Sequence, residues 1–283
     1  MSYVIFLNNR IVEETEGHLS ALDRGFLYGD GLFETFRTYH KRPFRIEDHI
    51  IRLLNSAKYF DIPFRYTPQQ IRQIIEQLLT ENSLTDAYVR MTLSRGVGTN
   101  GIIPRGACNP TFVIQTKPLS VYPASLYETG IALIASSIRR STTCPLSRHK
   151  TLNFLANYLI KKEAIRKGAH DAIILNTDNY VAECAVSNIF IVEKDTVITP
   201  SLEANILPGI TRKGILEICN KSGILVLEEL FGLERVLSAD EVFLTNSLME
   251  VIPVSKIGGQ PIGRVIPGTV TKLLDGKYRV LTQ

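Results

Sequence analysis

The sequence predicts an α+β fold in two domains. Three observations carry this. Short alternating runs joined by tight turns are interspersed with amphipathic helical stretches, without the regular strand–helix alternation that builds a doubly wound parallel sheet. The stretch KPLSVYPASLYETG, with Pro118 and Pro123 and no helical period, interrupts the chain. The length of 283 residues suits two modest domains. The division falls at residues 1–118 for a small N-terminal domain, 119–127 for a linker and 128–283 for a larger domain.

The elements follow in order. Tyr3 to Leu7 and Arg10 to Glu13 read as strands around the turn Asn8-Asn9. Gly31 to Tyr39 alternates and is rich in aromatics and threonine, which suits a strand. Glu47 to Tyr59 is an amphipathic helix with Ile50, Leu53, Leu54 and Ala57 on one face. Thr67 caps a second helix reaching Asn82, with Pro68 at its first position. Ala87 to Ser94 and Thr111 to Thr116 are strands. Beyond the linker, Ile131 to Ser136 is a strand, and Thr151 to Lys167 is a long helix stopped by Gly168. Asp171 to Leu175 and Tyr180 to Val192 form a hairpin, Val197 to Pro200 is a short strand, and Thr211 to Ser222 is a helix opening after Leu-Pro-Gly. Strands at Glu241 to Thr245 and Val251 to Ile257 complete the series.

Composition excludes several classes. Hydrophobic residues are 45% and charged residues 21%, as in ordinary globular proteins, so disorder and coiled coil are poor readings. The net charge of +4 is small and dispersed, which argues against nucleic acid. Cys108, Cys144, Cys184 and Cys219 form no C-x-x-C pair, and the five histidines show no metal spacing. The N-terminus lacks a signal peptide's basic start, and no apolar run approaches a membrane span. The expectation is a cytoplasmic protein with no membrane partner.

Several residues suggest chemistry. Gly96, Gly98 and Gly101 make a G-x-G-x-x-G string, but the IIPRGACNP that follows cannot open a helix. A nicotinamide-dependent oxidoreductase therefore rests on that string alone. ILPGITRKG breaks the chain just before a helix, so backbone N–H groups and the Thr211 hydroxyl could hold an anion; an ordinary threonine cap is the simpler alternative. Lys150 stands between a polar stretch and the apolar TLNFLANYL, where desolvation could make it a nucleophilic amine. Glu183 lies in the small-residue strand VAECAVSNIF, where a carboxylate needs a cation or strong donor. Arg52 borders the apolar stripe of its helix and by itself reads as a snorkelling surface arginine.

Taken together, DRGFLYGDGLFETFR, HIIRLLNSA, KTLNFLANYL, VAECAVSNIF, TPSLEANILPGITR and FLTNSLMEVIPV, in this order from about Asp23 to Gly268, resemble the class-IV aminotransferases. These are the fold-type IV pyridoxal-phosphate enzymes. The resemblance implies a small N-terminal α/β sandwich and a larger C-terminal pseudo-barrel domain. It implies pyridoxal 5'-phosphate as cofactor, with Lys150 as its Schiff-base lysine and Glu183 paired with its pyridine nitrogen. Arg52, Ile210, Thr211 and Ser247 match phosphate-binding positions. Tyr28 matches an active-site tyrosine, and Phe33, Tyr88 and Arg90 match substrate-pocket positions. The family is typically homodimeric.

Three activities share this scaffold. The Tyr88-x-Arg90 pair in AYVRMTLSRGVG and the KTLNFLANYL segment resemble branched-chain aminotransferases, acting on a hydrophobic amino acid and a 2-oxo acid such as 2-oxoglutarate. That reading leads. TNSLMEVIPV, ECAVSN and SRGVGTNG look more like 4-amino-4-deoxychorismate lyases, the first alternative. A D-amino-acid aminotransferase is disfavoured because an Arg-x-His carboxylate trap is absent between Gly96 and Gly101. Phe154 stands where many relatives have tyrosine. A non-catalytic cofactor-binding relic is a distant alternative.

Overall fold

The computed structural model describes residues 2–98, 101–104 and 108–282. The chain forms two compact units. One comprises Met1–Ser120 together with His149–Asn153, the other Val121–Arg148 with Phe154–Gln283. Both combine strands with helices, the first unit with an antiparallel sheet and the second with a mixed one.

The first unit contains β1 (Val4–Leu7), β2 (Arg10–Glu13), α1 (Arg24–Tyr28), β3 (Gly31–Tyr39), β4 (Arg42–Pro43), α2 (Ile46–Tyr59), α3 (Pro68–Glu81), β5 (Ala87–Val97) and β6 (Asn109–Pro118). Its strands make one antiparallel sheet in the order β2-β1-β6-β5-β3-β4. Along β5, Ala87, Val89, Met91 and Leu93 enter the core while Tyr88, Arg90 and Thr92 take the other face. The helices cover the core face. On α2, Ile46, Ile50, Leu53 and Ala57 recur at helical spacing and are buried. The expected cap of α3 is a full capping box, in which Thr67 Oγ1 accepts from Gln70 N and Gln70 Oε1 accepts from Thr67 N.

The second unit contains α4 (Ala124–Thr129), β7 (Ile131–Ala135), α5 (Leu155–Arg166), β8 (Asp171–Leu175), β9 (Val181–Cys184), β10 (Asn188–Glu193), β11 (Thr196–Pro200), α6 (Ile210–Ser222), β12 (Val226–Glu229), α7 (Leu233–Ser238), β13 (Glu241–Asn246), β14 (Glu250–Ile257), β15 (Gln260–Pro261) and α8 (Thr269–Thr282). Eight strands run in the order β12-β11-β10-β13-β14-β7-β8-β9, with β15 added on β14. Of these pairs, β11–β12, β14–β7 and β7–β8 run parallel. The sheet curls until β9 lies beside β10. Its enclosed core includes Ile173, Ile189, Ile191, Leu244, Ile252 and Val254.

Four expectations are corrected. The helix expected from Thr151 begins at Leu155. Residues 150–152 are instead extended along β3: Phe33 N donates to Lys150 O at 2.9 Å, Leu152 N donates to Gly31 O at 2.9 Å, and Leu32 bridges to Thr151. Segment 149–153 thus belongs with the N-terminal residues. The Tyr180–Val192 strand is broken at residues 185–187, where Cys184 N donates to Ser187 O and turns the chain from β9 into β10. Thr211 is not the cap of α6; that position is Gly209, with Ile210 first in the helix. The stretch read as a linker carries α4, which starts directly after Pro123.

The glycine string belongs to the β5–β6 hairpin rather than to a strand-to-helix turn. Gly96 sits at the irregularity between Ser94 and Val97, with φ of +76°. A Cβ there would lie 1.5 Å from Asn109 O, so the close strand approach requires glycine. Residues 99–100 of that string and 105–107 after it lie outside the described residues. Gly96→Ala should destabilise the protein by at least about 2 kcal/mol, read as a lower midpoint in chemical denaturation with an unchanged slope.

Candidate active site

In the first unit, β3 and the segment 149–153 organise the candidate residues. Phe33, on the face of β3 turned away from α2, carries two cations against its ring. The Arg90 guanidinium lies 4.0 Å and Lys150 Nζ 4.4 Å from its centroid. Arg90 Nε donates to Thr92 Oγ1 at 3.2 Å, and its Nη groups have no hydrogen-bond partner among the described residues. Phe33, Arg90 and Lys150 therefore form one cluster of an aromatic surface, an amine and donors open to an anion.

Arg52 approaches β3 from the α2 side. Its Nε donates to Glu34 Oε1 at 2.8 Å and its Nη2 to Glu34 Oε2 at 2.7 Å, a bidentate pair. His49, one turn earlier on α2, reaches Glu34 Oε2 through Nδ1 at 2.7 Å. Glu34 and His49 are each 1% exposed. Burial would raise the Glu34 carboxyl, but the Arg52 charge and the hydrogen bonds from Arg52 and His49 outweigh it and hold it at about 2. Burial pushes His49 down against the opposing pull of Glu34, and the Arg52 and Lys150 charges push the same way as burial. Arg52 is therefore not a snorkelling surface side chain. It is clamped at one edge.

The other candidates of this unit are Tyr28 and Tyr88. Tyr28 ends α1, is exposed, and has the Arg24 guanidinium 4.8 Å from its ring centroid. Arg24 is itself fixed by Asp30 at 2.9 Å and by Gly101 O and Ile102 O. Tyr88 lies on β5 opposite Arg37 and shares the outward face of Arg90.

In the second unit the centre is Glu183 on β9, 7% exposed. Arg140 Nη1 donates to Oε1 in an ion pair, and Asn188 Nδ2 and Leu207 N each donate to Oε2 at 3.1 Å. The cation required by a carboxylate in an apolar strand is thus present within the chain. Asn188 Nδ2 also donates to Leu207 O at 3.0 Å, which ties β10 to the residues leading into α6.

The same residues define the entrance to α6. Gly209 caps the helix without a side-chain bond, and a Cβ on it would fall 1.9 Å from Asn188 Oδ1. Ile210 and Thr211 provide the first turn and are buried. Thr245 stands opposite Asn188 in the β10–β13 pair, and its buried Oγ1 has no partner among the described residues. α6 packs on β13. A buried hydroxyl left unpaired costs roughly 1–3 kcal/mol. An orphan donor, a glycine cap and helix N–H groups fit an oxyanion such as a phosphate. Ser247 occupies the turn between β13 and β14, where Asn246 Oδ1 accepts from Leu248 N at 2.9 Å and Met249 N at 2.7 Å.

Sequence reasoning missed Glu34, His49, Arg140, Asn188 and Thr245. The pair His49 and Arg52, three apart on one helix face, is a readable signal for a buried acceptor. Arg140, in a polar stretch without periodicity, offers none.

The amino-transferase class IV family model matches residues 31–257. A protein of Methanocaldococcus jannaschii provisionally named a branched-chain-amino-acid aminotransferase is 37% identical over 276 residues, covering 97% of this chain and 95% of its own. The aminodeoxychorismate lyase of Bacillus subtilis is 37% identical over 259 residues, covering 90% and 86%. The crystal structure of the branched-chain amino acid aminotransferase of Escherichia coli matches with a TM-score of 0.95 at 29% identity, covering 100% of this chain and 95% of that one. The chain belongs to the class IV aminotransferase family, has its fold-type IV architecture, and is an enzyme of that class. No helix among the described residues is long and apolar enough to cross a membrane.

Removing the Glu34 charge tests the clamp on Arg52. Glu34→Gln should cost roughly 3–5 kcal/mol, because it breaks a buried pair and leaves a cation without its partner. The folded carboxyl sits at about 2 against an ordinary 4.5, so its contribution, about 3 kcal/mol, is present above pH 4.5 and lost as pH falls toward 2. Acid denaturation of the wild type should show this loss, and the variant should lack it.

Proposed function

We propose that this enzyme is a pyridoxal 5'-phosphate-dependent aminotransferase that moves an amino group between a hydrophobic amino acid and a 2-oxo acid such as 2-oxoglutarate. The observation that carries the reading is the Phe33 cluster. It sets an amine 4.4 Å from an aromatic surface, with the Arg90 guanidinium 4.0 Å from the same ring. A substrate carboxylate can meet the arginine while its reacting end lies by the amine.

The cofactor supplies, when bound, an electron-withdrawing ring that stabilises negative charge at the substrate Cα. On this reading Lys150 Nζ holds the cofactor covalently at rest, and once released takes the Cα proton and gives it back as general base and acid. Glu183 accepts the pyridine N–H. Ile210, Thr211, Ser247 and Arg52 hold the phosphate. Tyr28, Phe33, Tyr88 and Arg90 shape the substrate pocket.

A 4-amino-4-deoxychorismate lyase is the second reading. It is favoured by the equal identity to the Bacillus subtilis lyase and by the Asn246-centred turn that replaces a small-residue turn. A homodimer is the proposed assembly, in keeping with the exposed Leu22, Phe26, Leu27, Ile102 and Ile103 of the first unit.

The test is a screen of half-reactions on protein reconstituted with pyridoxal phosphate. The expected results are a visible absorbance band bleached by borohydride, its loss in Lys150→Ala, and glutamate formed from L-leucine and 2-oxoglutarate. Turnover in Lys150→Ala should fall by at least about 10³-fold, as for removal of a catalytic residue. Pyruvate release from aminodeoxychorismate without any amino acceptor, and without transamination, would replace the transaminase by the lyase. Activity on D-alanine alone would replace it by the D-specific enzyme. A protein that never gains the band overturns the pyridoxal-phosphate reading, and one that gains it without turnover on any of these substrates would be the cofactor-binding relic.

A further inference from the structure

The acceptor count at Glu183 leads to Arg140, a residue outside the family-like motifs. A carboxylate offers about four lone-pair sites, two on each oxygen. Oε2 receives two donors, Asn188 Nδ2 and Leu207 N, each at 3.1 Å. Oε1 receives one among the described residues, Arg140 Nη1. The remaining acceptor site is therefore on the oxygen that Arg140 holds. Arg140 is itself fixed through its backbone: its N donates to Leu175 O at 3.0 Å, its C=O accepts from Thr177 N at 2.9 Å, and it bridges to Asn176 beside β8. Its side chain is 12% exposed and that of Glu183 is 9% exposed. The pair is largely out of water, where charges act on one another strongly.

We propose that Arg140 is a positioning residue that keeps the proton shared by Glu183 and the ring nitrogen of the cofactor on the nitrogen. This rests on the reading that Glu183 faces a pyridine nitrogen. Coulomb interaction falls with distance. Arg140 touches Oε1, and a ring nitrogen donating to Oε1 lies one hydrogen bond further away. The guanidinium therefore stabilises negative charge on the oxygen more than it penalises positive charge on the nitrogen. Without it, a buried neutral pair, with the carboxyl protonated and the nitrogen bare, gains on the ion pair. The protein would then hold the cofactor with a weaker electron sink. Arg140 also fixes the carboxylate plane, which Asn188 and Leu207 hold from one oxygen only.

The experiment uses the holoprotein carrying pyridoxal phosphate labelled with ¹⁵N in the ring, and reads the nitrogen resonance. Wild type is expected at the protonated pyridine position. Arg140→Gln is expected to move toward the neutral position, and Arg140→Lys to return most of the signal, because it restores the charge. Arg140→Met, which keeps most of the side-chain stem, replaces the glutamine variant should that not fold. A merely structural role would change the melting temperature but leave the resonance of bound cofactor in place. A wild-type resonance in the neutral variants overturns the proposal for Arg140 and leaves Glu183 as the nitrogen's partner. A wild-type protein that retains no cofactor, or one whose ring nitrogen is already neutral, overturns the Glu183 reading and the proposal with it.

Discussion

A carboxylate taken out of water must be met by a cation or by several donors, and much of this chain is arranged around that requirement. Glu34 in the first unit and Glu183 in the second show it most plainly. Glu34 lies on β3 among the apolar residues that face α2, so α2 must present charge as well as hydrocarbon to the sheet. It does so with His49 and Arg52, which alternate along the helix with the buried Ile50 and Leu53. Apolar burial and the ionic clamp then agree on one helix register. In the second unit Glu183 is met by Arg140 from the stretch after β7, by Asn188 of β10 and by the backbone entering α6. One side chain thus ties together three segments far apart in sequence.

The two acids each accept three hydrogen bonds, one on Oε1 and two on Oε2, but from different kinds of donor. Arg52 grips both oxygens of Glu34 and His49 adds a third bond, so this carboxylate serves to hold Arg52. Glu183 is met by one charged donor, Arg140, and by two neutral ones, the Asn188 amide and the Leu207 backbone N–H. Thr245 Oγ1, one strand across from Asn188, is a donor with nothing to bind among the described residues. Unspent hydrogen-bonding capacity in a buried place is costly, and sites built for a ligand are where such a cost is tolerated. What distinguishes the two acids is the set of partners that meets each, which residue type alone does not reveal.

That distinction sets the limit of what the sequence can reveal. The strong periodic elements are legible: β3 coincides with its expected range, and α2 and α3 differ from theirs by one residue at each changed end. Elements of five or six residues, α1, α4 and α7, are too short to show a helical period. Even α8, of 14 residues, has no expected counterpart, because its apolar positions are interrupted by lysines, glycine and threonines. The start of α5 differs from its expected position because Thr151 and Leu152 suit a helix in isolation, whereas pairing with β3 is a tertiary event. Lys150, Glu183 and Arg52 stand out through their neighbours and through the resemblance. Glu34, Arg140 and Asn188 do not, since their importance lies in partners distant along the chain.

The Phe33 cluster bears on the choice between the proposed transaminase and the lyase. A transaminase of hydrophobic amino acids meets two unlike molecules in one pocket, an apolar side chain in one half-reaction and the second carboxylate of glutamate in the other. Neither a purely apolar wall nor a purely cationic one serves both, because each leaves one partner poorly solvated. An arginine lying on an aromatic ring offers a compromise. The ring is largely covered, and on the proposed reading the guanidinium, with Nε held by Thr92, receives the carboxylate beside it. Because the arginine is already desolvated on one face by the ring, turning toward an anion costs it less than it would cost a fully hydrated lysine. A lyase acts on one anionic substrate and makes no such alternating demand. On the proposed reading, the stacking of Arg90 on Phe33 is what lets one binding surface serve both halves of a transamination.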